Sequence, residues 1–324
     1  MEEAQTKTGK NKKKPSAIPG IVAFFLLSLL AYWLFLEIIV EYDQRFVPAY
    51  EKVSLEEILE QGKVSGSDEA LDPNKDSELF RELYLQTGLG TDALEEILAL
   101  NGDAALRRLQ LHQDYFFNPR DILCRKITPI TGEEKNADEE DNLVPGFEIQ
   151  QIRTGDIFLS FSTHSLGWRH GHSALVINGD TGRTLEAVVL GRNSEAQRAE
   201  KWPEYPTFLQ IRLSDEALDQ LGISRREAEE RLAEVGEEKL TDVPYGLLTG
   251  MFGKYVPEIR ETQCSHLVWY AYYELGLDID SDGGWLVTPR DIAGSPYFEV
   301  VQIVGLDPSA AAAESPLQGE SEKE

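Results

Sequence analysis

The chain has 324 residues and a formal net charge of −26, with 57 acidic against 31 basic side chains. Phosphate binding needs clustered Lys and Arg, so this balance argues against a nucleic-acid partner and makes acidic lipid or polyanionic wall polymer a poor long-range match. The length suits one good-sized domain with additions or two small ones, and with 2 cysteines the fold must rest on an apolar core rather than on disulfides.

Residues 1–16 are polar and basic, with Lys7, Lys10, Lys12, Lys13 and Lys14. They are followed by 22 uncharged residues between Lys14 and Glu37, enough for a bilayer core that needs about 20. Lysines on one flank and Glu37, Glu41 and Asp43 on the other predict a cytoplasmic tail over 1–16, a transmembrane anchor over 17–40 and an extracytoplasmic remainder. The rival, a cleaved signal, is disfavoured by the length of the apolar run and by Tyr32, Trp33 and Glu37 where small residues would be needed.

Residues 43–145 read as a small helical extracytoplasmic region. Ser54 with Glu57 has the spacing of a capping box, Ser77 opens a run with Leu79, Phe80, Leu83 and Tyr84, and Thr91 stands before Leu94, Ile97 and Leu98. A fourth run holds Leu106, Leu109, Tyr115, Phe116 and Phe117. The acidic stretch 132–142 reads as a loop and a domain boundary, and Cys124 as a reduced, buried residue.

From 148 to 305 the pattern changes to short branched runs punctuated by glycine. Strands are expected at 155–159, 171–177, 184–189, 208–213 and 298–304. Between the first two, 162–170 is a polar loop expected to rim a cleft, with Trp168 and Arg169 as substrate contacts. His164, His170 and His172 invite a metal reading, but the acidic or thiol ligands that would complete such a site are not at ligand spacing. Ser224 with Glu227 opens a helix, and Thr288 with Pro289 another. The tail 306–324 lacks apolar periodicity and is expected to be disordered.

The chemistry is expected at 262–275. Leu267, Val268, Ala271, Tyr272 and Leu275 recur at helical spacing and Gly276 ends the run, which places Cys264 in or just before the first turn. Unpaired amides and the positive end of the dipole favour a thiolate there, although a lone cysteine opening a core helix is also a common packing residue. His172 begins the second strand, a rigid mount for a catalytic base, and Glu186 lies among apolar residues where it could orient the imidazole. The alternative for Glu186 is an exposed acid at a strand end.

The order His172, Glu186, Cys264 resembles the circularly permuted branch of the NlpC-type, papain-like cysteine hydrolases, the YiiX-like and YaeF-like group to which lecithin retinol acyltransferase relatives are also similar. The resemblance covers about 152–304. It is carried by Gly155-Asp156-Ile157, Gly171-His172-Ser173-Ala174-Leu175-Val176, Leu185-Glu186-Ala187, Pro244-Tyr245-Gly246, Cys264-Ser265-His266-Leu267-Val268 and Thr288-Pro289-Arg290-Asp291-Ile292. His266 departs from the glycine or glutamate usual in that place. The resemblance implies an α+β fold with an antiparallel sheet packed on helices, a Cys264 nucleophile, a His172 base and a Glu186 orienter. It also implies a substrate-positioning Tyr245, for which an aromatic wedge under the turn is the alternative. The expected function is hydrolysis of an amide, in a peptidoglycan stem peptide, through a thioester. The alternatives are a lipid-linked acyl substrate or a non-catalytic binding module. No cofactor is required by this chemistry, and no oligomeric interface is legible.

Overall fold

The computed structural model describes residues 18–40, 44–64, 73, 75–251 and 253–309. The basic tail expected at 1–16 and the tail from 310 onward lie outside the described residues.

Helix α1 (Ile18–Val40) comes first. Its described side chains run unbroken from Gly20 to Leu36, a rise of about 26 Å against a hydrocarbon core of about 30 Å. Among the described residues no helix is long and apolar enough to cross a membrane. That finding corrects the expected transmembrane anchor over 17–40 and the membrane-spanning part of the fold class. It equally corrects the single-pass localisation with a cytoplasmic N-terminus and an extracytoplasmic C-terminal domain.

Four helices follow: α2 (Leu55–Val64), α3 (Ser77–Thr87), α4 (Thr91–Leu98) and α5 (Gly102–Phe117). Ser54 Oγ accepts from the Glu57 amide, as its spacing suggested. Gly90 caps α4, and Thr91 is its first residue. Leu55, Ile58, Phe80, Leu83, Leu94, Ile97 and Leu109 form their common core.

Strands β1 (Asp121–Thr128) and β2 (Thr131–Ala137) replace the loop expected around 132–142. Composition hid this hairpin because its buried groups are polar ones that find their partners outside it. Glu134 is buried against Arg169, and buried Lys135 lies over the ring of Tyr205 at 3.5 Å and pairs with Glu204.

The remaining elements are β3 (Ile157–Ser160), β4 (Thr163–Ser165), β5 (Trp168–Arg169), β6 (His172–Asn178), β7 (Arg183–Glu186), β8 (Glu195–Arg198), a 3-10 turn (Ala199–Glu204) and β9 (Phe208–Leu213). They are followed by α6 (Asp215–Leu221), α7 (Arg225–Lys239), α8 (Cys264–Leu275), α9 (Pro289–Ala293) and β10 (Phe298–Val304). One antiparallel sheet has the order β1-β2-β4-β5 and the other β10-β9-β3-β6-β7-β8. The larger sheet is apolar on both faces. Ile157, Leu159, Leu175, Ile177, Leu185 and Ile211 join the core that holds α7 and α8, whereas Phe158, Ala174, Val176 and Phe208 meet Phe147, Trp202 and Tyr205 on the other side. This alternation is the two-residue period of a pleated strand. Of the expected fold class, the α+β arrangement of an antiparallel sheet packed on helices describes the chain.

Strand β10 ties these layers together, since Val301 packs with the helices α2–α5, Ile303 with the α7–α8 core and Val304 with Phe147 and Trp202. Its outer edge is covered by residues 88–90, through Gly90 N to Val301 O at 2.9 Å and Ile303 N to Gly88 O at 2.7 Å. The approach is close enough that a Cβ on Gly90 would lie 1.7 Å from the Val300 carbonyl. Asp156, a residue of the expected strand signature, is buried and holds Arg212 at 2.8 Å, so it braces the sheet.

Candidate active site

Register and pleat bring the acid and the base together. Val176 pairs with Thr184, which puts Thr184 and Glu186 on the same face of the sheet as Ala174 and His172. There Glu186 Oε2 is 2.9 Å from His172 Nε2. Glu186 is fully buried rather than an exposed strand-end acid, and its lone pairs are filled. Oε1 accepts from Thr184 Oγ1 at 2.7 Å and Trp202 Nε1 at 3.2 Å, and Oε2 also meets Lys201 Nζ at 2.9 Å. The Trp202 ring stacks on the imidazole, with centroids 5.5 Å apart and planes 8° from parallel.

The sulfur arrives from the other side of the sheet. Gln263 caps α8, its side chain accepting from the Ser265 amide at 2.9 Å, and Cys264 is the first helical residue. Leu267, Val268, Ala271, Tyr272 and Leu275 are buried as their spacing predicts, and Gly276 closes the helix at φ 108°. Cys264 Sγ lies 3.5 Å from Gln263 Oε1 and 3.7 Å from Ser265 Oγ, and its thiol is electrostatically coupled to the His172 imidazole. Nε2 is committed to Glu186, which leaves Nδ1 as the ring nitrogen open to the sulfur. Cys264 itself is buried.

The electrostatics favour an ion pair. Burial alone would lower the His172 pKa, but hydrogen bonds to Cys264 and Glu186, with their charges, push it up to about 9. Burial opposes the Cys264 thiolate as well, and the bond and charge of His172, with hydroxyls of Ser265 and Ser173, bring it below the usual thiol range. Glu186 is brought down to about 2 despite burial, by His172 and Lys201. Each shift has the sign expected of opposite charges held close in a dry site.

Tyr245 sits beside this centre. Its amide donates to Arg192 O at 3.1 Å, the Gly246 amide to Thr262 O at 2.8 Å and the Thr262 amide to Pro244 O at 2.9 Å, so the turn is pinned to the residues that lead into Cys264. Burial, then the Cys264 charge, raise its phenol pKa. Trp168 and Arg169 are placed differently. Trp168 is half exposed on the smaller sheet against His170. Arg169 donates to Glu134 and, at 3.0 Å, to Phe161 O, so its guanidinium clasps the protein itself.

The three histidines of the metal reading have separate partners. His170 lies 3.0 Å from Ser165 Oγ, His164 3.6 Å from Cys124 Sγ, and His172 on Glu186. Cys124 is half-buried, and both cysteines are free thiols. His266 is buried between Thr262 Oγ1 at 3.1 Å and Lys254 O at 2.8 Å, a packing position that explains why a departure there leaves the sulfur in place.

Sequence reasoning missed Gln263, Thr184, Lys201 and Trp202. Gln263 is not among the usual capping residues, and Trp202 and Lys201 stand in a 3-10 turn with no periodic signal. Thr184 alone was within reach, two residues before Glu186 on a strand whose alternate side chains share a face. No family model, curated protein or solved structure matches the chain.

Proposed function

We propose that the chain is a cysteine hydrolase that works through a thioester. The observation that carries this reading is one buried imidazole held between a carboxylate and a thiol at a helix N-terminus. The Cys264 thiolate attacks a carbonyl carbon, and His172 gives its proton to the departing nitrogen or oxygen. Neutral His172 then takes a proton from water, whose oxygen displaces the sulfur, and the acid product leaves. Glu186 fixes the imidazole tautomer and balances its charge. The backbone amide of Cys264, which has no intrahelical acceptor, faces the developing oxyanion, an interaction worth about 3 kcal/mol in comparable enzymes.

Resemblance to wall endopeptidases supports an amide of a peptidoglycan stem peptide as substrate. A second reading, a lipid-linked ester or amide, is favoured by the rim. Leu190, Leu247, Leu248 and Trp285 are more than half exposed on loops chained to the Cys264 neighbourhood, where the 192–193 and 244–245 segments pair and Gly250 abuts Trp285 O. Exposed apolar side chains on these loops suit an acyl chain better than a hydrophilic peptide. A non-catalytic binding module is the remaining alternative.

Alkylation separates enzyme from module. Near neutral pH iodoacetamide should modify Cys264 at least about ten times faster than Cys124, and His172→Ala should erase most of that difference. Equal slow rates favour the module. Incubation with purified sacculi and with acylated lipid, followed by assay of new amines and freed fatty acid, separates the substrates; neither product from either counts against the hydrolase.

A further inference from the structure

The connection from α8 to α9 reads Asp278-Ile279-Asp280-Ser281-Asp282-Gly283, alternating aspartates closed by a glycine at φ 65°. That spacing recurs in loops that wrap a hard cation in carboxylate oxygen. Carboxylate oxygens of Asp280, Asp282 and Asp291 all lie within 4.8 Å of one another. Asp280 is only 7% exposed; its Oδ2 holds the Lys254 ammonium, and among the described residues its buried Oδ1 has no hydrogen-bond partner. A buried carboxylate oxygen without a donor costs free energy, and here the neighbouring groups are further carboxylates. Asp291 Oδ2 already accepts the Thr288 amide at 2.7 Å and Asp282 Oδ1 the Gly284 amide at 2.6 Å, which holds both in place.

We propose that Asp280, Asp282 and Asp291 bind a calcium ion. Three carboxylates and one ammonium leave an excess of two negative charges, which a divalent cation neutralises. All-oxygen donors select a hard ion, and a partly exposed loop carrying Gly283 and Gly284 tolerates irregular, water-completed coordination, which suits Ca²⁺ better than octahedral Mg²⁺. The site is distinct from the cysteine centre, yet its loop leads to it. Val287 O accepts from the Gln263 side chain at 3.0 Å, and a Cβ on Gly171 would lie 3.3 Å from Pro289. The ion thus stiffens the segment that braces the cap of α8 and the approach to His172.

The test uses the full chain freed of metal by a chelator. Terbium is titrated under tryptophan excitation, with Trp285 on the loop and Trp269 Nε1 2.7 Å from Asp278 Oδ1 as antennae. Saturable sensitised emission, reversed by millimolar calcium and weakened on the order of tenfold or more by Asp282→Ala, is expected. Calorimetry with calcium chloride should give one site in the wild type and none in the variant, whose unchanged circular dichroism shows that it is folded. Absence of emission, emission that calcium does not displace, or equal calcium heats in wild type and variant overturns the assignment. Each of these readouts is independent of hydrolysis.

Discussion

Cys264 and His172 hold one proton between them, and its position sets the pH behaviour of the site. In the unfolded chain at neutral pH that proton sits on sulfur; in the folded chain the rise of His172 to about 9 and the fall of Cys264 shift it towards nitrogen. Between the ordinary imidazole and thiol pKa values of about 6.5 and 8.5 the folded and unfolded pairs each hold one proton and contribute no slope of stability with pH, whereas above about 8.5 the unfolded chain has lost it and stability falls as pH rises towards about 9. Turnover and alkylation should part company above pH 9. Alkylation stays fast because the thiolate persists, whereas turnover falls as the imidazolium that protonates the leaving group is lost; a parallel fall of both would contradict the ion pair. Glu186, at about 2, stabilises the fold fully above its unfolded pKa near 4.3 and loses that contribution progressively as pH falls from there through about 2, so it should add no acid limb to activity above pH 4. Trp202→Phe keeps a ring on the imidazole but removes the donor to Glu186. We expect kcat to fall on the order of tenfold with little change in melting temperature, whereas Trp202→Ala empties a buried site and costs about 3–5 kcal/mol in denaturant unfolding. The candidate trio was legible because a thiol at a helix start, an imidazole at a strand start and a lone acid among apolar residues each break a local pattern. The residues that hold the trio break none, and so only coordinates reveal them.

At the scale of elements, periodicity carried most of the weight. Strands β3, β6, β9 and β10 and helix α8 fall where branched runs and three-and-four spacing place them, because tertiary burial and local pattern agree. The hairpin β1–β2 was illegible because Glu134 and Lys135 look like loop residues until Arg169 and Glu204 come into contact with them. Arg169 carries the same lesson in reverse, since a cation on a polar loop suggested a free substrate contact. Replacing Glu134 by Gln should therefore lower the melting temperature without altering the alkylation rate of Cys264, an outcome that thermal scans and thiol labelling check together. Gly90→Ala should destabilise by more than about 1 kcal/mol in denaturant titration, because its methyl meets the Val300 carbonyl and severs the pairing with β10.

At the scale of the molecule, the division at 145 marks a change of composition but not an independent boundary. The helical core includes Val301, and residues 88–90 extend the larger sheet. A fragment covering 148–309 should accordingly expose the β10 edge and associate, as sedimentation would show, whereas the longer chain would not. Nothing local announces this dependence, since sequence patterning reports what an element buries and not which neighbour covers it. Strand β10 supplies a side chain to each of three apolar clusters, and it is the last regular element along the described chain. A ribosome therefore delivers the common fastener after everything it fastens. Helices completed early must wait as loosely collapsed intermediates, so nascent chains halted before residue 298 should remain open to proteases along their whole length, and chaperone dependence should end within a few residues of β10 clearing the exit tunnel.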